Sequence, residues 1–125
     1  MSRFTVRKRK GGFTLIEIMI VVLIISVLLA IAIPNFIRAR ETSRAKSCCS
    51  NLRQIETAKE QYAMEKKLNI GSGCNLNDLV GPDLYIREMP VCPSGGEYTA
   101  NAIGTKATCS IGENKDGDYD DHVLR

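Results

Sequence analysis

One carboxylate sits where carboxylates are costly. From Phe13 to Ile33 the chain is apolar apart from Thr14, Glu17 and Ser26. An ionised acid inside a membrane span costs about 2.5 to 3.5 kcal/mol on insertion scales, so a lone one asks for a partner or a function. Immediately ahead lie Gly11, Gly12 and Phe13, and ahead of these Arg3, Arg7, Lys8, Arg9 and Lys10 with no acid among them. A cut after Gly12 would discard the charges, keep the apolar run and leave a cationic amine on Phe13, one helical turn before Glu17. Identical neighbours would each carry that pair. The amine of one subunit meeting Glu17 of the next neutralises both and sets the axial step of a stack. The plainer alternative is a carboxylate resting at headgroup level, where the start of a helix favours negative charge.

The other chemistry-bearing residues form no catalytic pattern. Five cysteines (48, 49, 74, 92 and 109) include no C-x-x-C, His122 is the one histidine, and adjacent Cys48 and Cys49 do not easily face one metal ion. The sequence therefore predicts no metal among them and no enzyme. Gly71-Ser72-Gly73 lacks a following Lys-Ser/Thr, so no nucleotide site is read. Asp116, Asp118, Asp120 and Asp121 alternate around Gly117 and offer oxygen ligands of the kind calcium takes, but the closing glutamate of an EF-hand is missing. A solvated acidic tail is the favoured reading of them, and no other cofactor is expected.

These residues must be positioned by a small set of elements. The 21 residues from Phe13 to Ile33 would form a helix roughly 30 Å long, enough to cross a bilayer. Basic residues before the span hold that end in the cytoplasm. A secretory signal has its small residues after the apolar core, whereas here Gly11-Gly12 precede it. Pro34 removes a backbone donor, so the helix should kink there without having to stop. Beyond it Ala45, Cys48, Leu52, Ile55, Ala58 or Lys59, and Tyr62 recur at spacings of three and four, an apolar stripe reaching about Lys67. Glu56, Lys59 and Glu60 are expected on its flanks.

Glycines and prolines from Gly71 to Pro90 mark a connecting loop, with one helical turn between Asn75 and Val80 and a short alternation from Leu84 to Met89. The stretch GGEYTANAIGTKATCSI predicts a β-hairpin turning near Gly104, backed by the helix stripe because two strands alone are marginal in water. Cys92 and Cys109 flank that hairpin, and outside the cytoplasm a disulfide between them would persist. Cys48 fits a buried free thiol. A bridge from Cys48 or Cys49 to Cys74 is strained by reach, while Cys74 with Cys92 or Cys109 stays open.

The formal charge of +3 misleads, because five of the 17 basic residues lie in the leader. The remaining twelve face 14 acids, a net charge of −2. Residues 35–67 carry +4 and residues 68–125 carry −5. Stacked copies could set basic helix against acidic head, though solvated faces account for the same pattern.

The stretch KGGFTLIEIMIVVLIISVLLAIAIPNFIRAR resembles the amino-terminal third of type IV pilins and type II secretion pseudopilins. The resemblance is specific over residues 8 to about 40. It implies that a prepilin peptidase cuts after Gly12 and methylates Phe13, that Glu17 is the assembly carboxylate, and that Pro34 is the helix-interrupting proline. Many members have glycine where this chain has Ser26. The implied fold is α+β: a leader, 1–12; a membrane and polymerisation helix, 13–34; an amphipathic helix, 35–67; and a small head, 68–125. Some major pseudopilins hold calcium near this end, in line with the aspartates.

Three functions follow as expectations. The first is a pilin subunit polymerising with itself after residence in the inner membrane as a single-pass protein, with pilus or secretion ATPase and platform machinery as outside partners. The second is the major pseudopilin of a periplasmic pseudopilus. The third is an anchored binding domain that never polymerises.

Overall fold

Thr14 and Glu17 have the threonine-x-x-glutamate spacing that caps a helix, and the first helix begins between them. In the computed structural model, which describes residues 11–112 and 121–124, Thr14 N–H donates to Glu17 Oε2 (2.8 Å) and Glu17 N–H donates to Thr14 Oγ1 (3.3 Å). The reciprocal pair satisfies two donors that a helix start leaves orphaned. Helix α1 then runs over Leu15–Lys66 and passes through Pro34. Ser26 Oγ donates back to the carbonyl of Val22 (2.7 Å), so its hydroxyl is satisfied within the helix.

The chain divides into two compact units, one ending at Phe36 and one beginning at Ile37. In the first, every described residue is exposed, including Leu15, Leu23, Ile31 and Phe36. Leu, Ile and Val on all sides of one helix are the pattern of a segment whose surroundings are apolar. The helix is long and apolar enough to cross a membrane.

The second unit is built on the amphipathic half of α1. Ala45, Cys48, Leu52, Ile55, Ala58 and Lys59 are its buried residues, the stripe predicted from spacing. Tyr62 is partly buried against the same core. The helix closes at Lys66, with Lys67 in the left-handed region (φ 54°) and Leu68 N–H reaching back to the carbonyl of Ala63 (2.9 Å).

After α1 the expected single turn appears as α2, Leu76–Leu79, where Asp78 accepts from Asn75 N–H (3.2 Å). The alternation from Leu84 to Met89 does not become a strand. It contributes one parallel bridge, Val80 with Ile86, because Ile86 N–H bonds back to Leu79 and Gly81 N–H to Ile86.

The hairpin forms as β1, Tyr98–Thr99, antiparallel to β2, Thr108–Cys109, with Tyr98 opposite Cys109. Each strand has only two residues, shorter than the alternation suggested. The backbone of Ile103 pairs instead with Gly71 and Ser72 (2.8 and 2.9 Å), which draws the hairpin tip onto the loop that follows α1. Asn101 at φ 58° and Gly104 at φ 86° make the required reversals. The result is α+β, one long helix and one small sheet, with Cys48, Leu52, Ile55, Leu79, Ile86, Cys92, Ala100, Ala107 and Cys109 at the core.

Candidate functional site

Gly11, Gly12 and Phe13 precede the capped helix start as exposed, non-helical backbone. A Cβ added at Gly11 or Gly12 would meet nothing within 4 Å. This chain's own described packing therefore does not require glycine there. Phe13 is 86% exposed and opens the apolar surface of α1. Glu17 lies on that surface and spends one oxygen on Thr14 N–H, the dipole-favoured contact at a helix start. A carboxylate has two oxygens and several acceptor positions, so this contact leaves capacity for an incoming amine.

The second constellation lies in the head. Cys48 from α1, Cys92 from the loop before the hairpin, Cys109 from β2 and His122 from the carboxy-terminal segment are all buried. Their sulfur and ring-nitrogen atoms lie within 4.8 Å of one another, and Cys92 Sγ stands 3.4 Å from His122 Nδ1. Sequence reasoning brought Cys92 and Cys109 together and placed Cys48 in the core, but it did not connect them to His122. All five cysteines are free thiols here, so the bridge expected between Cys92 and Cys109 is not formed. One signal was present in the sequence: Cys92-Pro93-Ser94-Gly95-Gly96 is a tight turn whose Gly95, at φ 85°, sends its N–H to the carbonyl of Cys92 (3.0 Å).

The thiols of this group do not share one environment. Burial pushes the Cys48 thiol up to about 12, with the neighbouring Cys109 and Cys92 adding to the rise and a hydrogen bond with Tyr98 opposing it. Cys92 is pulled the other way: burial raises it, but N–H donors from Ser94 and Gly96 and the adjacent thiols outweigh burial and hold it below the ordinary thiol range. The Tyr98 phenol is raised, first by burial and then by its bond to Cys48. Cys74 is buried, which raises its thiol too, but it lies outside the cluster. Cys49 donates to the carbonyl of Val123 (3.2 Å), tying the carboxy-terminal segment to α1.

Glu56, expected on a flank, turns inward instead, and Lys59, which the spacing left open between the stripe and a flank, joins the buried stripe. Lys59 is 2% exposed. Its ammonium donates to Glu56 Oε1 (3.1 Å) and to the carbonyl of Thr105, while Ala107 N–H donates to the same carboxylate oxygen. The hairpin backbone supplies partners that no helical pattern reveals. Of the acidic candidates, Asp116, Asp118 and Asp120 lie outside the described residues.

Residues 7–33 match the prokaryotic N-terminal methylation motif. Over 66 residues the chain is 50% identical to the type IV major pilin protein PilA of Myxococcus xanthus, covering 53% of this chain and 29% of that pilin. It is 29% identical over 112 residues to the type II secretion system core protein G of Pseudomonas aeruginosa, covering 80% of this chain and 79% of the relative. The corresponding protein of Vibrio cholerae is 25% identical over 115 residues, covering 83% and 79%. No solved structure matches.

Proposed function

We propose, from its similarity to type IV pilins and type II secretion pseudopilins, that the chain is a structural subunit of that family, which a prepilin peptidase matures after Gly12 and which polymerises through α1 into a type IV pilus-like filament. The observation that carries this reading is the junction itself. Two sterically unconstrained glycines lead into a capped helix whose apolar surface is exposed throughout and interrupted by a single carboxylate. Before assembly the inner membrane covers that surface, with the basic leader in the cytoplasm. In the filament, helices of sister subunits replace the lipid. The Phe13 amine of one subunit then neutralises Glu17 of another, where water is excluded and an unpaired acid is costly.

A second reading, the major pseudopilin of a type II secretion system, is favoured by a different observation. The similarity to secretion core proteins G extends across the head, whereas the stronger identity to the pilin covers about half of this chain. In both readings assembly is driven by machinery outside this chain.

Mass spectrometry of the native protein tests the maturation step: it should begin at a methylated Phe13. A chain still starting at Met1, or trimmed beyond the apolar run, would refute it. Glu17→Ala tests assembly. Cleavage and membrane insertion should persist while filaments disappear, and filaments of normal length from the variant exclude the proposed pairing. Filaments on the cell surface support the pilus, and filaments confined to the periplasm support the pseudopilus.

A further inference from the structure

We propose that Cys48, Cys92, Cys109 and His122 form a structural zinc site that closes the head domain. A tetrahedral ion with Zn–S near 2.3 Å and Zn–N near 2.0 to 2.1 Å sets neighbouring ligand atoms about 3.5 to 3.8 Å apart. Here the four atoms lie within 4.8 Å of one another and the sulfur-to-imidazole edge is 3.4 Å. Closing the remaining edges therefore takes side-chain movements of about an ångström or less by that comparison. Three sulfurs and one imidazole are a donor set that selects zinc over oxygen-seeking cations. Cys48, Cys92 and His122 are at most 3% exposed and Cys109 is 6% exposed, so the shell is closed, as structural zinc sites are.

The surroundings of Cys92 and Cys48 supply oriented hydrogen-bond partners. Ser94 and Gly96 direct backbone N–H groups at Cys92 Sγ. Tyr98 shares its hydroxyl between Cys48 and the Asn51 amide, 3.1 Å away. His122 N–H is held by the carbonyl of Gly112 (3.0 Å), which fixes the backbone that carries the ring. These contacts orient ligands in the way that outer partners do around bound metals. Gly96 is required as well, since a Cβ at that position would stand 2.5 Å from Cys109 Sγ.

The competing use of these residues is a disulfide, which engages two sulfurs and leaves a third thiol and an imidazole buried together without a common partner. A zinc ion engages all four. Three thiol protons leave for solvent as one Zn2+ enters, the histidine binds as neutral imidazole, and the site carries a net charge of −1. It joins four separate pieces of chain in a domain whose sheet has two residues per strand. Small domains of that kind commonly depend on such a staple.

The full chain, extracted from membranes in detergent without chelator, should carry one equivalent of zinc by elemental mass spectrometry. Substitution with Co2+ should give the visible bands of a tetrahedral thiolate site. Cys109→Ser and His122→Ala should each lower zinc content at least tenfold, whereas Cys74→Ser should retain it. Because unfolding for any other reason would also empty the first two variants, the unsubstituted protein decides the matter. A metal-free chain with five alkylatable thiols overturns the site. So does a metal-free chain two hydrogens lighter with Cys92 joined to Cys109, and stoichiometric copper or iron in place of zinc overturns the zinc assignment.

Discussion

Removing Glu56 should damage the head more than removing the lysine it neutralises. In the folded chain Glu56 Oε1 accepts from Lys59 and from Ala107 N–H, and Lys59 also donates to the carbonyl of Thr105. The lysine side chain is 3% exposed and the glutamate 25%. Glu56→Ala strands a buried ammonium with one neutral acceptor and orphans a buried N–H. Breaking a buried pair in this way costs about 3 to 5 kcal/mol, and the partial exposure of Glu56 argues for the lower end, near 3 kcal/mol. Lys59→Met keeps the apolar stem and leaves a carboxylate that still holds Ala107 N–H and reaches water, so its cost is about 1 kcal/mol. With about 4 to 8 °C of melting temperature per kcal/mol for a domain of this size, the two variants should melt roughly 12 to 24 °C and 4 to 8 °C below the parent. The double variant should lie above Glu56→Ala alone, because removing both charges leaves no unpaired ion. Near-UV circular dichroism of the full chain in detergent reads the head selectively, since Tyr62, Tyr85 and Tyr98 all pack against its core. A Lys59→Met variant as unstable as Glu56→Ala, or a double variant below both, would refute the reasoning.

Leu52 is fully buried on the α1 stripe, so Leu52→Ala should cost about 2 to 5 kcal/mol and lower the same transition, while helicity of the apolar half measured by far-UV circular dichroism is preserved. The Tyr85 phenol is pushed up to about 12, chiefly by its hydrogen bond to the Glu65 carboxylate. Its raised value means that any stability from this contact is fully present below the ordinary phenol range near 10 and is lost as pH rises through about 12. Ultraviolet titration should show one late-ionising tyrosine that Glu65→Gln returns toward the ordinary range, and an unchanged profile in that variant would remove the contact from the account.

Periodicity along a helix and charge at its ends are local properties, and they were legible. The span from Phe13, the stripe from Ala45 to Ala58 and the hairpin all follow from residue spacing, because each depends on neighbours within a few positions or on one shared face. Lys59 shows where such reading stops. Its type assigns it to solvent, yet the hairpin supplies a carbonyl and an oriented carboxylate that make burial tolerable. The same holds for His122, which stands 30 residues from Cys92 and 74 from Cys48 in the chain but shares their core in space. Sequence alone determined the apolar span and its lone acid, since water and lipid act on side-chain chemistry directly. Only the tertiary structure decided which thiols meet an imidazole, since that convergence depends on how four distant segments pack together.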